Sequence, residues 1–347
     1  MLESPTRTRA GLFLMTFLLA SVATPASNNA APAPLNIQRQ LCQSSSMLNE
    51  LDARDRYKLE RLLRSAAAVE NSQAMLWRVE KPGVPASHIF GTVHVIDDGL
   101  SELRPSVRSA ISQSKVVALE AEEMSRAAMR YAMAQAGRLM VTKDRPLQFL
   151  LSPDEMTFVE EAIDKAGFPK QMALGWRPWV VNLFLAESPC QKAKAAAGLK
   201  SLDLLIADEA KARGIRVVGL EKMTEQYETM ASIDDAAQAA WLKASIHLHD
   251  RLDDMAHTMA ELYRFRRMNM VWDLTSELAP EAGLTPDVIK SIRTNLVGSR
   301  NARMTERAQP IFNEGAAFVA VGALHLAGDD GIIANLRKLG FTVTAME

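Results

Sequence analysis

The chain has 347 residues, 48% apolar and 23% charged, the balance of a folded globular protein rather than of a disordered or membrane-embedded one. Its 40 basic and 41 acidic residues leave a formal net charge of −1. No basic patch able to neutralise phosphates stands out, so nucleic acid is not expected as a partner. Only Cys42 and Cys190 are cysteines, with no Cys-x-x-Cys, which excludes zinc ribbons and thioredoxin-like chemistry.

At the N-terminus, Arg7 and Arg9 precede the apolar stretch Gly11–Ala23, followed by small residues. The stretch falls short of the roughly 20 apolar residues of a comfortable membrane span, so residues 1–26 read as a secretory signal peptide. Cleavage is expected after Ala23 or Ala26, and the chain would meet a membrane only in transit through this segment. The expected location is therefore exported, periplasmic or secreted. Residues 27–38, which include Ser27–Pro34 (SNNAAPAP), read as a polar linker. In an exported chain a single pair of cysteines is expected to bond, joining Cys42 to Cys190, although sequence leaves two free thiols open.

Residues 39–71 carry Leu48, Leu51, Leu59, Leu62, Leu63 and Ala66 among charges, a helical pattern that makes this an N-terminal extension. Residues 72–347 form the remaining domain. Met75–Val79 and His88–Phe90 are strand-like and joined across Pro82-Gly83, which predicts an antiparallel hairpin. The second run stops at Gly91, and His94 follows three residues later. Leu103–Ser114 is helical, and Lys115–Leu119 is a buried strand ending in Glu120, the strand–helix–strand spacing of a parallel crossover. From about 125 to 198 the pattern is helical, with Ser152-Pro153-Asp154-Glu155 as a capping box. A helix over Gly198–Arg213 then leads to the strand Ile215–Leu220, which ends in Glu221.

Residues 224–315 form a second helical insertion. Met223–Leu278 reads as almost uninterrupted helix carrying His247, His249 and His257, and Thr285-Pro286-Asp287 starts another. A strand over Ala316–Val321 stops at Gly322, with His325 three residues on. A helix to Leu339 and a strand over Phe341–Ala345 close the chain. Two strands thus end in Gly-x-x-His and two in Glu. The expected fold is α/β: a mixed, mostly parallel sheet built from two related halves, with large helical insertions.

Strand ends are where open α/β sheets build sites, so His94, His325, Glu120 and Glu221 would gather at one edge if their strands are parallel neighbours. Two imidazoles and a carboxylate suit a divalent metal (Zn²⁺, Mn²⁺, Fe²⁺ or Co²⁺), with Glu120 as ligand or as base towards a metal-bound water. The competing reading is structural: histidines bonded to backbone and glutamates in salt bridges. Arg300, in the cluster Ser299-Arg300-Asn301-Ala302-Arg303, opposes the dipole of the helix it would start, so a carboxylate or a substrate carbonyl is expected to hold it. Arg300 is the candidate for stabilising an oxyanion, and Glu221 and Asn301 for supporting the primary groups. The helical zinc-protease, nucleophile-elbow and phosphate-loop motifs are absent.

The segments LWRVE, FGTVHVIDDG, VVALEAE, RVVGLE, SRNARM and FVAVGALHLAGDDG together resemble the TraB/GumN family, which includes the Tiki-type proteases. The resemblance spans about Met75 to Ala345. It implies a metal-dependent, peptidase-like hydrolase core related to erythromycin-esterase-like and haem-binding proteins, with His94, His325 and Glu120 at the site and Arg300 nearby. A peptide or small-molecule substrate follows. The alternative is a non-catalytic metal- or haem-binding protein, or one whose Met-rich helices recognise a partner.

Overall fold

The computed structural model describes residues 42–121, 126–142, 145–186, 188–282 and 284–347. The expected signal peptide and linker lie outside the described residues, as do residues 39–41 of the extension. In chain order come α1 (Met47–Ala68), β1 (Leu76–Lys81), β2 (Val84–Thr92), α2 (Pro105–Ser112), β3 (Val116–Ala121), α3 (Arg126–Gln135), α4 (Pro153–Lys165), α5 (Pro178–Leu185), α6 (Pro189–Ala196), α7 (Leu202–Ala212) and β4 (Arg216–Glu221). There follow α8 (Met223–Ser232), α9 (Asp235–His247), α10 (Leu252–Arg264), α11 (Met270–Ala282), α12 (Pro286–Arg293), α13 (Ser299–Glu314), β5 (Ala317–Gly322), α14 (Ile332–Lys338) and β6 (Thr342–Ala345).

The six strands form one sheet in the order β4-β3-β5-β2-β1-β6. The β1–β2 hairpin is antiparallel, turning at Pro82-Gly83, where Gly83 has φ 77°. The pairings β2–β5, β5–β3 and β3–β4 are parallel, and β6 closes the antiparallel edge. The sheet is thus mixed and mostly parallel, with helical insertions between β3 and β4 and between β4 and β5. Like strands pair with like: the two Gly-x-x-His strands are neighbours, and so are the two strands ending in Glu.

Side-chain alternation divides the core between the two faces of the sheet. Phe90, Val117, Leu119, Phe318 and Ala320 pack on one side among the helical insertions. Ile89, Ala118, Val319 and Val321 pack on the other, against Met304, Ala308 and Phe312 of α13 and Ile332, Ile333 and Leu336 of α14. Burying each large apolar side chain contributes roughly 1.5–3 kcal/mol, so both helices are held by the face they turn to the sheet.

Gly91 is where the chain must come close to another backbone: a Cβ there would sit 3.0 Å from the Ala323 Cα and 2.8 Å from Leu326 Cδ1. This glycine, the penultimate residue of β2, therefore makes room for the turn that carries the second histidine. At Gly322 a Cβ would meet Glu120 Oε1 at 3.1 Å.

Two expectations are corrected. The helical run Met223–Leu278 is broken into α8, α9, α10 and α11. Asp234 starts α9 by accepting the Ala237 N–H, and Arg266 takes a left-handed φ of 56° between α10 and α11. His247, His249 and His257 accordingly do not share one helix. The N-terminal helix is also kinked at Asp55, whose φ and ψ are −156° and 85°.

Cys42 and Cys190 are joined by a disulfide that fastens the N-terminal segment to the start of α6. The bond closes a loop of sequence separation 148. In the chain-entropy model such a loop contributes at most about 5 kcal/mol. Reduction is expected to lower the thermal midpoint with a stability loss of about 2–5 kcal/mol, read by denaturant titration with and without reductant. Identical curves, with alkylation confirming reduction, would contradict this.

A buried polar cluster as candidate functional site

Because β2, β5, β3 and β4 run parallel side by side, their carboxyl ends deliver His94, His325, Glu120 and Glu221 to one edge of the sheet. Glu120 is the penultimate residue of β3 and Glu221 the last of β4. His325 ends a short 3₁₀ turn, Ala323–His325, directly after β5. Arg300 reaches them from α13. It does not stand at a free helix start: a π turn over Thr294–Gly298 continues from α12 into α13, so the expected conflict with a helix dipole does not arise.

The cluster is closed. His325 is fully buried, Arg300 and Glu221 are buried, and Glu120 is 5% exposed. The His94 side chain is 17% exposed, the most open of these histidine and carboxylate groups.

Arg300 lies between the two carboxylates. Its Nη2 donates to Glu120 Oε2 at 2.7 Å, its Nε to Glu221 Oε2 at 2.8 Å, and its Nη1 to the Leu296 carbonyl at 3.2 Å. Arg303 Nε donates to the other Glu221 oxygen at 3.0 Å and its Nη2 to Thr229 at 3.1 Å. Burial alone would raise the Glu120 pKa, but the Arg300 charge overcomes it and holds the carboxyl far below its ordinary value. Burial likewise works against the charged guanidinium, and Glu120 and Glu221 reverse that effect, raising the Arg300 pKa. The expected oxyanion role does not suit Arg300, because all three of its nitrogens are engaged in salt bridges or backbone bonding.

The two imidazoles are oriented in the same way, each through Nδ1. His94 Nδ1 lies 2.8 Å from Asp203 Oδ2, and Thr92 donates its hydroxyl to Asp203 Oδ1 at 2.7 Å. Asp203 is buried in the first turn of α7. His325 Nδ1 lies 2.7 Å from Asn301 Oδ1, while Asn301 Nδ2 donates to the Asp330 carbonyl at 2.9 Å. That carbonyl can only accept, which fixes the amide orientation: Oδ1 faces His325, so Nδ1 must carry the proton. The neutral ring then presents a bare Nε2. This atom is buried without a hydrogen-bond partner and lies 3.6 Å from Glu120 Oε1, which accepts the Gly322 N–H at 2.6 Å.

The two histidines are displaced in opposite directions. For His94, burial lowers the pKa but the Asp203 carboxylate prevails and raises it to about 9. For His325, burial dominates over the Glu120 charge, helped by the positive Arg300 and His94, and the pKa falls to about 3.

Sequence reasoning named His94, His325, Glu120, Glu221, Arg300 and Asn301, and the structure brings all six to this edge. It missed Asp203 as the partner of His94. An Asp in a helix's first turn is the ordinary choice opposite the dipole, so nothing in the sequence marks it.

A model of the TraB/PrgY/gumN family matches residues 75–345. The chain belongs to the TraB/PrgY/gumN family. No curated protein and no solved structure matches it. The match covers both Gly-x-x-His segments, both strand-end glutamates and Arg300, so the cluster lies wholly within the TraB/PrgY/gumN region.

Whether a divalent metal suits this TraB/PrgY/gumN site turns on the donors. Both imidazoles are anchored at Nδ1, the arrangement usual for metal-bound histidine, and the lone pair of His325 Nε2 is unpartnered. Glu120, the expected third ligand, has Oε2 bound to Arg300 and Oε1 to a backbone N–H. Among the described residues no three His, Cys, Asp or Glu side chains are grouped to hold a metal ion. His325 offers a free lone pair, whereas His94, its pKa raised to about 9, would first lose a proton and Glu120 is already engaged, so the full set does not suit a metal as it stands.

The pH dependence follows from the signs. His325, lowered from 6.5 to about 3, contributes stability present above pH 6.5 and lost as pH falls towards 3; the lowered Glu120 adds to the loss in acid. His94, raised from 6.5 to about 9, contributes stability present below pH 6.5 and lost as pH rises through about 9. Thermal midpoints measured across this range are expected to fall on both sides of neutrality. Asp203→Asn should remove much of the alkaline fall; an unchanged alkaline limb in that variant would contradict the pairing.

Proposed function

We propose that this chain is an exported hydrolase of peptide or other amide or ester bonds, working at the sheet edge through His325, Glu120 and His94. The observation that carries the reading is the bare His325 Nε2 facing Glu120 Oε1 at 3.6 Å. His325 Nε2 lacks a donor, and Glu120 Oε1, which accepts the Gly322 N–H, has a second lone pair, so a water seated against both would give one O–H to each. His325 takes the water's proton as the oxygen attacks the carbonyl carbon, and the Glu120 carboxylate stabilises the imidazolium formed. The tetrahedral adduct then collapses with cleavage of the amide C–N or ester C–O bond, and the imidazolium returns the proton to the leaving nitrogen or oxygen.

His94, held protonated by Asp203, turns Nε2–H towards the charge that develops on the carbonyl oxygen or the leaving group. The low pKa of His325 keeps its lone pair available at neutral pH at the cost of weak basicity, which the neighbouring carboxylate offsets. Arg300 acts one step removed, keeping Glu120 ionised and pointing. Such proton transfer contributes about 10²–10⁴ in rate, and an oxyanion donor about 10²–10³.

A second reading, hydrolysis with a divalent metal, is favoured by the Nδ1 anchoring of both imidazoles. His94 and His325 would hold the ion, which would supply Lewis acidity; Glu120 would first have to leave Arg300.

A panel of fluorogenic peptide amides and aryl esters tests the activity. Turnover is expected, with His325→Gln lowering it by about 10²–10⁴ while the fold is retained. No turnover on the panel, or an unaffected variant, would contradict the proposal. Activity that survives exhaustive chelation supports the acid–base reading. Loss on chelation, with recovery on adding Zn²⁺, Mn²⁺, Fe²⁺ or Co²⁺, would establish the metal reading instead.

Export is supported by the Cys42–Cys190 disulfide, a bond that persists in oxidising compartments. Among the described residues no helix is long and apolar enough to cross a membrane. N-terminal sequencing of the exported protein is expected to begin at residue 24 or 27. An intact Met1 in the membrane fraction would contradict removal of a signal peptide.

A further inference from the structure

His94 is carried by residues 93–97, a stretch between β2 and the 3₁₀ turn Asp98–Leu100 that belongs to no helix or strand. Asp203 fixes its ring, but the backbone beneath it is held from α6. Gln191 pairs both main-chain groups of Ile96, two residues past His94. Its Oε1 accepts the Ile96 N–H at 2.7 Å, and its Nε2 donates to the Ile96 carbonyl at 3.1 Å. A carboxamide suits this contact because it carries an acceptor and a donor side by side. Lys194, almost one turn further along α6, donates to the same carbonyl at 3.3 Å.

The helix that supplies this clamp is itself weakly rooted. A surface helix is ordinarily held by an apolar face turned to the core. Of the eight residues Pro189–Ala196 only Cys190 is buried, and Cys190 is half of the disulfide to Cys42. The remaining ties are polar: Ser188 accepts the Gln191 N–H at 3.0 Å, and Asp253 of α10 accepts the Cys190 N–H at 3.2 Å. The covalent bond is thus the principal anchor of α6, one residue from the glutamine. Its other end is pinned to α10, where Asp254 accepts the Ser45 N–H at 2.6 Å and Thr258 the Met47 N–H at 3.0 Å. Both cysteines line a cleft of about 650 Å³, which gives a small thiol access to the bond.

We propose that the Cys42–Cys190 bond is a redox switch for the site, with Gln191 as the positioning residue through which it acts on His94. Oxidised, the bond seats α6, and the clamp on Ile96 holds the backbone that aims His94 at the developing charge. Reduced, α6 loses its anchor and the clamp opens. The exchange balances. The two thiols of a dithiol reductant give up two protons and two electrons and close to a disulfide, while the Cys42–Cys190 bond breaks and each sulfur becomes a thiol. A disulfide oxidant runs the same step backwards, so the site is completed on reaching an oxidising compartment. This regulation rests on the hydrolase reading, whereas the clamp itself can be measured without substrate.

The full chain labelled with ¹⁵N-isoleucine, before and after reduction with dithiothreitol, tests this by NMR below the melting point of the reduced form. The Ile96 amide resonance is expected to move on reduction, while that of Ile89, inside β2, stays in place. Turnover of the fluorogenic substrates should fall about tenfold in kcat, the size set by losing one or two hydrogen bonds. KM should change by less than about twofold, because His94 acts on charge that develops in the transition state. The double variant Gln191→Leu, Lys194→Met removes the clamp from the oxidised protein. Both positions are partly exposed, so the fold is expected to survive, which thermal melting would verify. This variant should reproduce the fall in kcat, and reduction should then cost less than about twofold more, since two perturbations of one linkage do not add. Gln191→Glu keeps the acceptor for the Ile96 N–H and loses the donor, and should lie between.

An unmoved Ile96 resonance after reduction confirmed by alkylation, or effects of reduction and of the double variant that add in full, would overturn the proposal. Displacement of Ile96 with no turnover in either redox state would support the clamp and refute the hydrolase reading. Equal turnover in both redox states would refute the switch and leave the hydrolase reading standing.

Discussion

A guanidinium buried to 2% exposure cannot remain without anions, and in this protein one such group, Arg300, organises the carboxyl edge of the sheet. Parallel pairing of β3 and β4 brings Glu120 and Glu221 to adjacent strand ends, where two ionised carboxylates would otherwise repel each other in a medium that screens poorly. Arg300 between them, with Arg303 on the far side of Glu221, lets both remain charged. Such an arrangement gives little net stability compared with an apolar replacement, because desolvating three ions offsets their attraction. Removing one member is a different matter and costs about 3–5 kcal/mol, since an unpaired buried charge is left behind. The network is therefore better understood as a geometric device. It fixes Glu120 so that Oε2 meets the arginine while Oε1 turns to Gly322 and His325.

That geometry depends on elements far apart in the chain. Gly91 and Gly322 let the turn after β5 lie close against β2 and admit the Glu120 carboxylate; an added methyl group at either would crowd these neighbours. The π turn before α13 carries the helix from α12 past the strand ends and delivers Arg300 and Asn301 on consecutive residues. Arg300 binds the carboxylates and Asn301 binds His325. One helix thereby sets both the charge and the proton position at the site. Tertiary packing of Met304, Ala308 and Phe312 against the sheet holds that helix in place.

Much of this edge was legible because its residues sit where apolar strand patterns stop. A buried run closing on Gly-x-x-His or on Glu announces a strand end, and strand ends of a parallel sheet share an edge once the strands are neighbours. The order β4-β3-β5-β2 was not legible, because pairing between distant segments leaves no local trace. Nor was the role of Asp203, which looks like any first-turn acid. Arg300 was singled out for a dipole conflict that a continuous helix removes; what holds it is nonetheless a carboxylate, as expected. The breaks between α8, α9 and α10 escaped because Ala-, Met- and Glu-rich sequence favours helix on both sides of each break. Only Asp234, as an N-cap, marks one of them.

The central claim is that Asn301 and the Asp330 carbonyl hold His325 as the Nδ1-protonated tautomer, its bare Nε2 directed at Glu120. Nitrogen NMR of the protein with ¹⁵N-labelled histidine, recorded at neutral pH, measures this directly. The account predicts a His325 ring with its proton on Nδ1 and an unprotonated Nε2, returning towards a mixture of tautomers in Asn301→Ala. A His325 ring carrying its proton on Nε2, or protonated at both nitrogens at neutral pH, would contradict it.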